Sequence, residues 1–351
     1  MTLQPAANAL SDFRILVAKN VRHFLEARGF EFVRTKRRGA AAARTGVLRP
    51  GGAPAAREPA PGMVLDAQRF FSVEVEARPG INHLRFALEL LVREAVALGR
   101  TPVAFKPRFD PRHNLGVDLD VDWDRYIDLE RVELLPPGGG EPFVVRLLPS
   151  TALAGAAGHS AAWYDRRHVV TSDENRRWDL VVRCNRTGLQ VPGVHDATPG
   201  LPGWRVRFAP SPQVRALAQQ VADALGDYAA MHVRRDDMLA MTDQYPHLDE
   251  DTRPEAILRT LAPHLAPGSR LYVMTNERQP GFFEPLRRVY DLRQCADFPA
   301  LRTLVEGPGT DNFLLFEVEK LLFERAAKQV HTFTHPEGGR RIALCRDPGW
   351  A

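Results

Sequence analysis

The sequence predicts an α/β protein with two halves, each built around a parallel sheet, and three observations lead to that class. Short apolar runs alternate with amphipathic helical stretches along most of the chain, which is the pattern of strand, helix and strand units. The 351 residues exceed what one hydrophobic core usually fills, so two domains are expected. All periodicity stops in GVHDATPGLPGW, which places the boundary between the halves near residue 200.

The chain before residue 63 is predicted to hold two accessory segments. Within residues 1–33, apolar side chains from Phe13 to Leu25 recur at helical intervals, which predicts an accessory helix that packs on the body or joins a homodimer. Residues 34–62 are rich in Ala, Pro and Gly without periodicity, which predicts a flexible segment. This segment is basic, and its positive charge exceeds the net charge of +4 of the whole chain. The rest of the chain therefore carries a net negative charge. The sequence therefore does not favour nucleic acid as a partner of the folded part.

The first half, residues 63–200, begins with one strand, helix and strand unit. The apolar run RFFSVEVEAR is followed by the turn PGIN and then by a helix with apolar residues on one face. The short run RTPVAF is the next strand. The apolar face of the helix is formed by Leu84, Leu88, Leu91, Ala95 and Leu98.

The second half, residues 201–351, repeats this scheme three times. A helix through Val214 and Leu225 leads into the strand YAAMHV, and a helix through Ile257 and Leu261 leads into RLYVMTNE. The helix DNFLLFEVEKLLFERAAK leads into QVHTF. Ligands of such parallel sheets bind beyond the carboxyl ends of the strands and in crevices between lobes.

Two adjacent arginines follow the strand YAAMHV, at the edge where such a ligand is expected. Arg234 and Arg235 suit a diphosphate, because a guanidinium donates two parallel hydrogen bonds and keeps its charge. The alternative is a surface arginine pair held by Asp236, Asp237 or another carboxylate. Residue types and spacing leave these two interpretations open.

The stretch His232-Val233-Arg234-Arg235-Asp236-Asp237 resembles the H-V-R-R-x-D donor-binding motif of the fucosyltransferase superfamily, which includes α1,6-fucosyltransferases and protein O-fucosyltransferases. GINHLRFALELLVREAVALGRTPVAF resembles the first loop of that superfamily, G-x-N-x-x-R/Q followed by a helix and a strand. DWDRYIDL resembles a family stretch W-x-x-Y-x-D-L. These matches extend over most of the chain after the basic segment.

The resemblance implies a GT-B-like fold, with two Rossmann-like domains whose parallel sheets face each other across a cleft. The first would lie on the acceptor side, and the second would bind a nucleotide sugar. The implied reaction is an inverting, metal-independent transfer of fucose from GDP-fucose to a hydroxyl group of a glycan, a peptide or a small molecule. No cofactor is implied, and the sequence does not identify the acceptor.

The resemblance also implies roles for individual residues. Arg234 would bind the β-phosphate with Arg235 assisting. Apart from the resemblance, both arginines follow a strand end and are expected to lie outside the core, so replacing either should move the unfolding midpoint little. Asn82 would face the donor from the other lobe, with Gly80 allowing a tight turn. The remaining candidate donor contacts are His232 in the motif, Thr275 and Asn276 at a strand end, Asp311 for the base or ribose, and Thr332 and Thr334 in place of a closing loop.

The catalytic base is not specified by the resemblance, because Pro79 stands where some protein O-fucosyltransferases carry a glutamate. Glu76, Asp237 and His83 are the candidates. Each has a structural alternative: Glu76 could face solvent, Asp237 could hold Arg234, and His83 could cap its helix.

The run DLDVDWD superficially resembles a metal site with alternating aspartates. An EF-hand loop beginning at Asp118 would need Gly and Glu where Trp123 and Leu129 stand. The alternation of aspartates with apolar residues instead predicts a strand with one solvent-exposed face, and no metal ligand is expected. Three widely separated cysteines indicate neither a disulfide framework nor a zinc site.

Two classes of function therefore remain open: a nucleotide-sugar glycosyltransferase, and a non-catalytic relative that binds a nucleotide or another phosphorylated ligand. A transferase that uses another donor, such as UDP-rhamnose, is a variant of the first. No apolar run approaches the length of a membrane span, and the start of the chain lacks the pattern of a secretory signal, so a cytoplasmic protein is expected.

Overall fold

The computed structural model describes residues 31–32, 65–75, 78–155, 160–165, 179–185, 203–333 and 338–345. The predicted N-terminal helix and the basic segment lie outside these residues, as do Glu76 and Thr334. The described residues belong to two compact units. The first extends to Asp110 and resumes over Asp118–Ala209, and the second combines Pro111–Val117 with the chain from Pro210 onward.

The first unit contains the predicted strand, helix and strand pattern. Among the described residues, five strands pair in parallel in the order β1, β6, β7, β2, β3, and β5, β4 and β8 form a second sheet in which β4 and β5 are antiparallel. Helix α1 (Ile81–Ala97) joins β2 to β3, and Leu84, Leu88, Leu91 and Ala95 of its predicted face are buried. Leu98 lies just beyond the helix and is partly buried. The strands are β1 (Glu31–Phe32), β2 (Asp66–Val75), β3 (Arg100–Pro102), β4 (Ile127–Leu135), β5 (Phe143–Val145), β6 (Ser160–Asp165), β7 (Leu180–Asn185) and β8 (Arg205–Pro210).

Two expectations about loops of the first unit are wrong. Gly80 is the N-cap of α1 with φ −70° and ψ 165°, an extended conformation that other residues adopt, so no tight glycine turn occurs there. The aspartate run does not form a strand. Its last residues enter the 3-10 helix Trp123–Arg125, where the Asp122 side chain accepts a hydrogen bond from the backbone N–H of Trp123 at 2.8 Å.

The second unit is built on one parallel sheet. Among its described residues, the strands run in the order β11, β10, β9, β12, β13. Fully buried residues such as Met231, Val273 and Val330 form the core of this sheet. The strands are β9 (Ala229–Val233), β10 (Arg270–Thr275), β11 (Asp291–Arg293), β12 (Lys328–His331) and β13 (Arg341–Ala343).

The two longest helices that the structure describes in the second unit begin at capping residues. Ser211 caps α2, because its hydroxyl accepts a hydrogen bond from the N–H of Val214 at 3.1 Å and Pro212 occupies the first turn. Asp311 caps α7 in the same way through the N–H of Leu314 at 2.9 Å. The helices are α2 (Pro212–Leu225), α3 (Leu248–Asp251), α4 (Pro254–Leu261), α5 (Glu284–Arg287), α6 (Pro299–Arg302) and α7 (Asn312–Arg325).

The strand order of the second unit determines where a ligand can bind. The sheet begins with β9, and the chain adds β10 and then β11 on one side of it. The chain then crosses to the other side of β9, where it adds β12 and β13, so the direction of the connections reverses between β9 and β12. In open α/β sheets such a switch point leaves a crevice at the carboxyl ends of the strands. The α/β class and the parallel sheets are confirmed. Within the described residues, no helix has the length and apolar composition needed to cross a bilayer.

Candidate functional site

A pocket of about 260 Å³ opens in the second unit, beside the ends of β9 and β12. It therefore lies at the switch point of the sheet. Three of its lining residues are among the predicted donor contacts, and the other four were not predicted. The predicted ones are His232, Arg234 and Thr332, and the others are Met238, Tyr245, His331 and Phe333.

Thr332 joins the two strand ends that form the pocket. Its hydroxyl donates to the backbone carbonyl of His232 at 2.8 Å and accepts from the backbone N–H of Arg234 at 3.1 Å. The residue is buried. Thr332 thus holds the backbone of Arg234 against β12, which is a positioning role beside the predicted ligand contact.

Arg234 presents its guanidinium at the rim of the pocket. Its side chain is 49% exposed, and one terminal nitrogen donates to Asp237 Oδ2 at 2.9 Å. The other oxygen of Asp237 accepts from the side-chain amide of Asn276 at 3.1 Å. Asp237 therefore orients the guanidinium while much of its surface stays open to a ligand.

The same contacts set the chemistry of Asp237. Partial burial acts to raise the pKa of its carboxyl, but the hydrogen bond and charge of Arg234, with the charge of His113, lower that pKa below its ordinary value. A carboxylate with a low pKa and both oxygens engaged is a weak proton acceptor. The geometry thus supports the alternative in which Asp237 holds Arg234.

Arg235 lies in a different environment from its neighbour. It is 5% exposed, and its guanidinium donates to Glu277 Oε2 at 2.9 Å, to Asp249 Oδ1 at 2.7 Å and to the hydroxyl of Thr252. The guanidinium also stacks over the ring of Phe282, 4.7 Å from its centroid. The expectation that both arginines lie outside the core is wrong for Arg235.

The network around Arg235 is held in its charged form. Burial acts to raise the pKa of Glu277, but hydrogen bonds from the Gln279 backbone and from Arg235 bring that pKa below its ordinary value. Hydrogen bonds from Arg253 and Arg235 lower the pKa of Asp249. Arg235 is thus a buried structural cation. If it assists phosphate binding as predicted, it would do so indirectly, by holding Arg234 in position.

Thr275 and Asn276 brace the strand end. The hydroxyl of Thr275 donates to the carbonyl of Val233 at 2.8 Å and accepts from the N–H of Glu277 at 3.0 Å. The side-chain oxygen of Asn276 accepts from the N–H of Arg235 at 2.8 Å. Thr275 therefore fixes the backbone at Val233, and Asn276 fixes the backbone at Arg235 and the carboxylate of Asp237. Neither side chain lines the pocket.

Two histidines lie side by side in the pocket wall. Burial lowers the pKa of His232 to about 4, with the charges of Arg234 and His331 adding to the shift. Burial and the charge of Arg341 also lower the pKa of His331. Both rings are therefore uncharged at neutral pH, and each offers one N–H donor and one nitrogen acceptor.

His331 carries a polar atom for which the described residues provide no partner. Its ring packs edge-on against Phe323, with centroids 4.5 Å apart. Its Nε2 is buried and has no hydrogen-bond partner within the described part of the chain. A buried polar atom of this kind is costly unless something pairs with it, so its place in the pocket wall points to a polar ligand.

Part of the pocket lining is apolar. The rings of Tyr245 and Phe333 lie 4.8 Å apart at 35°, and Tyr245 packs in a cluster with Met238, Leu248 and Cys345. A lining that includes both aromatic rings and polar groups suits a ligand that combines a ring with an anion. Because Phe333 and His331 flank Thr332, the strand-end rule could have found them from the sequence. Tyr245 carries no comparable signal.

The remaining predicted donor contacts have other surroundings. Asp311 is fully buried as the cap of α7, which differs from the predicted contact with a base or ribose. Asn82 and His83 lie exposed in the first turn of α1, in the first unit. Their roles remain predictions, as does a donor contact at Gly80, where only the expected tight turn is absent.

Three of the four aspartates of DLDVDWD have contacts of their own. Asp118 pairs with Arg78 at 3.0 Å, Asp120 pairs with Lys106, and Asp122 accepts from the hydroxyl of Ser150 at 2.7 Å. Within the ranges that the structure describes, no group of three or more His, Cys, Asp or Glu side chains could hold a metal ion.

Comparison with known proteins gives weak likenesses. No protein-family model and no curated protein matches the sequence. The structure is similar to fucosyltransferase NodZ from Bradyrhizobium at 12% identity and a TM-score of 0.40, over 77% of this chain and 91% of that chain. It is similar to POFUT1 in complex with GDP-fucose at 11% identity and a TM-score of 0.44, over 75% of this chain and 90% of that chain. At such values, function has to be argued from this chain's own residues.

Proposed function

We propose that the pocket at the ends of β9 and β12 binds the diphosphate of a nucleotide sugar, and that the protein is a glycosyltransferase. The observation that carries the proposal is Arg234, a half-exposed guanidinium oriented by Asp237 at the switch point of a parallel sheet. The resemblance of His232–Asp237 to the donor-binding motif supports GDP-fucose as the donor. Transfer to a hydroxyl acceptor would proceed with inversion and without a metal ion.

Arg234 would stabilise the transition state more than the ground state. Cleavage of the bond between sugar and phosphate builds negative charge on the departing diphosphate. A guanidinium fixed before the ligand arrives can receive that charge without reorganisation, and it donates two parallel hydrogen bonds to phosphate oxygens. Asp237 and Asn276 supply the orientation in the free protein.

The other pocket residues fit the rest of such a ligand. The uncharged imidazoles of His232 and His331 can donate to oxygen atoms of the phosphate or the sugar. The pocket volume of about 260 Å³ lies below the roughly 300–1,000 Å³ of pockets that enclose a drug-sized ligand. It would therefore hold the diphosphate and one ring, with Tyr245 and Phe333 against the ring.

Binding without catalysis is the second candidate function, and one observation favours it. Both oxygens of Asp237 accept hydrogen bonds, so Asp237 does not offer a ready base for the acceptor hydroxyl. A phosphorylated ligand could still bind at Arg234 and induce a change elsewhere.

Release of GDP from GDP-fucose, with water or a panel of hydroxyl acceptors, tests the proposal. Wild-type protein should release GDP, and Arg234→Lys should release it about ten- to a hundredfold more slowly, because one charge-assisted hydrogen bond is lost. UDP-rhamnose is the comparison donor. GDP binding without release from any donor or acceptor would favour the binding function, and equal release by Arg234→Lys would contradict the phosphate role.

A further inference from the structure

The chain that follows Arg235 supplies two residues of the pocket lining, Met238 and Tyr245. It forms the 3-10 helix Asp236–Ala240 and then the four-residue helix α3 (Leu248–Asp251). A helix of one turn is not stable by itself in water. The position of α3 therefore has to come from its contacts with the rest of the protein.

The place of Tyr245 in the pocket depends on α3. Leu248, the first residue of α3, is buried and packs with Tyr245 and Met238 in one apolar cluster. The backbone N–H of Leu248 also donates to the carbonyl of Tyr245 at 3.2 Å. Because packed side chains leave little free space between them, a displacement of α3 would move the aromatic ring that lines the pocket.

The buried guanidinium of Arg235 holds α3 at two points. Near the start of the helix, Oδ1 of Asp249 accepts from Arg235 at 2.7 Å, and the backbone carbonyl of Asp249 accepts at 3.3 Å. At the end of the helix, the hydroxyl of Thr252 accepts from Arg235 and donates to the carbonyl of Leu248 at 2.5 Å. Thr252 is fully buried, so loss of its hydroxyl would deprive a buried guanidinium N–H of its closer acceptor.

Arg235 can hold α3 because its guanidinium is itself fixed by the loop after β10. Its Nε donates to Glu277 at 2.9 Å, and the guanidinium stacks over the ring of Phe282. Arg234 is oriented by a different contact, its bond to Asp237 at 2.9 Å. The two arginines thus hold different parts of the pocket lining.

We propose that Thr252 and Asp249 are positioning residues of the pocket: through them Arg235 holds α3, and with it Tyr245, against a ring of the bound nucleotide sugar. Arg234 binds the diphosphate, and the network of Arg235 sets the contact with the ring. This inference rests on the proposed function, since it assigns a second part of the same site. It requires that the two kinds of contact can be lost separately.

Calorimetric titration of the full chain with GDP-fucose, GDP and inorganic pyrophosphate tests the inference, because pyrophosphate has no ring. Thr252→Val keeps the shape of the side chain and removes the hydroxyl. It should bind GDP-fucose about fivefold more weakly and pyrophosphate within about twofold of wild type, which is the size of one aromatic contact. Thr252→Ser keeps the hydroxyl and should match wild type. A matching loss for GDP places the ring in the nucleoside, and a loss for GDP-fucose alone places it in the sugar.

Thr303→Val is the matched control. Thr303 also follows a four-residue helix, α6, and its hydroxyl donates to the carbonyl of Ala300 at 3.1 Å, but the residue is exposed. This variant should bind all three ligands as wild type does.

Asp249→Ala is the second variant, because the Asp249 side chain is half exposed and its removal threatens the fold less. It removes the other contact of Arg235 with α3 and should show the same selective loss. Arg253→Ala removes only the exposed partner of Asp249 and should match wild type.

Two reference variants separate a failure of the inference from a failure of the proposed function. Tyr245→Leu should weaken binding of GDP-fucose and spare pyrophosphate, and Arg234→Lys should weaken binding of all three ligands. If Arg234→Lys does so but Tyr245→Leu has no effect, or Thr252→Val affects GDP-fucose and pyrophosphate equally or affects neither, the inference is overturned and the proposed function stands. If Arg234→Lys binds as tightly as wild type, the proposed function falls and the inference with it. If the unfolding midpoint of Thr252→Val lies far below that of wild type, Asp249→Ala decides by the same outcomes.

Discussion

Adjacent arginines should respond in opposite ways to the same substitution. Arg234→Lys and Arg235→Lys both keep the positive charge and remove the planar fork. The Arg234 side chain is 49% exposed and bonds to Asp237, whereas the Arg235 side chain is 6% exposed and bonds to Asp249, Glu277 and Thr252. The first substitution should therefore affect ligand binding, and the second should affect stability.

The contacts give the size of each effect. An exposed ion pair such as Arg234 with Asp237 contributes about 0–1 kcal/mol, so Arg234→Lys should lower the free energy of unfolding by less than about 1 kcal/mol. Loss of one charge-assisted bond to a phosphate should weaken GDP binding by about 1.5–3 kcal/mol, or roughly ten- to a hundredfold. Arg235→Lys leaves buried acceptors without a donor and should lower the free energy of unfolding by about 2–4 kcal/mol.

Urea unfolding and GDP titration of the same preparations measure both effects. Arg259→Lys, an exposed arginine on α4 in the same unit, is the matched control and should change neither quantity. Equal stability losses in Arg234→Lys and Arg235→Lys would refute the distinction between a ligand-binding and a structural arginine. So would an Arg235→Lys protein that is as stable as wild type but has lost GDP binding.

Four further outcomes are expected. His331→Phe keeps the ring packing on Phe323 and removes the buried Nε2. The substitution should therefore raise the free energy of unfolding by about 1 kcal/mol and weaken GDP binding about tenfold. A lower free energy of unfolding in urea would contradict this prediction. Glu319 is buried on α7, where its Oε1 accepts from the hydroxyl of Tyr272 at 2.9 Å, and burial raises its pKa to about 8. The folded state therefore holds a proton that the unfolded state loses above about pH 4.5, so the free energy of unfolding should fall as pH rises from about 4.5 to about 8. Glu319→Gln should remove this pH dependence, and its free energy of unfolding near pH 8 should exceed that of wild type by about 2–4 kcal/mol. Urea unfolding at several pH values measures this, and the same pH dependence in the variant and in wild type would contradict the prediction. EDTA should leave GDP release unchanged, and activity restored only by manganese would contradict the metal-independent mechanism. Deletion of residues 36–60 should preserve GDP affinity, and a large loss would mean that the basic segment contributes to the site.

Strands β9, β10 and β12 of the second unit could be predicted because a parallel strand buried on both faces appears as a continuous apolar run, as in Ala229–Val233. The three-residue strands β11 and β13 were not predicted. Arg234 could be predicted for the same reason, since the residue after such a strand lies at the ligand edge of the sheet. Strand β4 (Ile127–Leu135) was missed although its burial alternates over much of its length, which is a signal that the sequence contains.

The burial of Arg235 could not be predicted from its own neighbourhood in the sequence. Its partners Asp249 and Glu277 come from the start of α3 and from the loop after β10, and only the folded chain brings them together. The segment Pro111–Val117 of the second unit is a similar case, because Asn114 is anchored by a backbone N–H that lies 198 positions away. Contacts to backbone groups leave no pattern in a single sequence.

A crystal structure of the full chain with GDP would show directly whether Arg234 holds the diphosphate. We expect the β-phosphate within hydrogen-bond distance of the Arg234 guanidinium, at the ends of β9 and β12, with Asp237 still bonded to the same side chain and Arg235 unmoved in its buried network. A GDP molecule bound elsewhere, or a phosphate held by Arg235 after it leaves Asp249 and Glu277, would contradict this expectation.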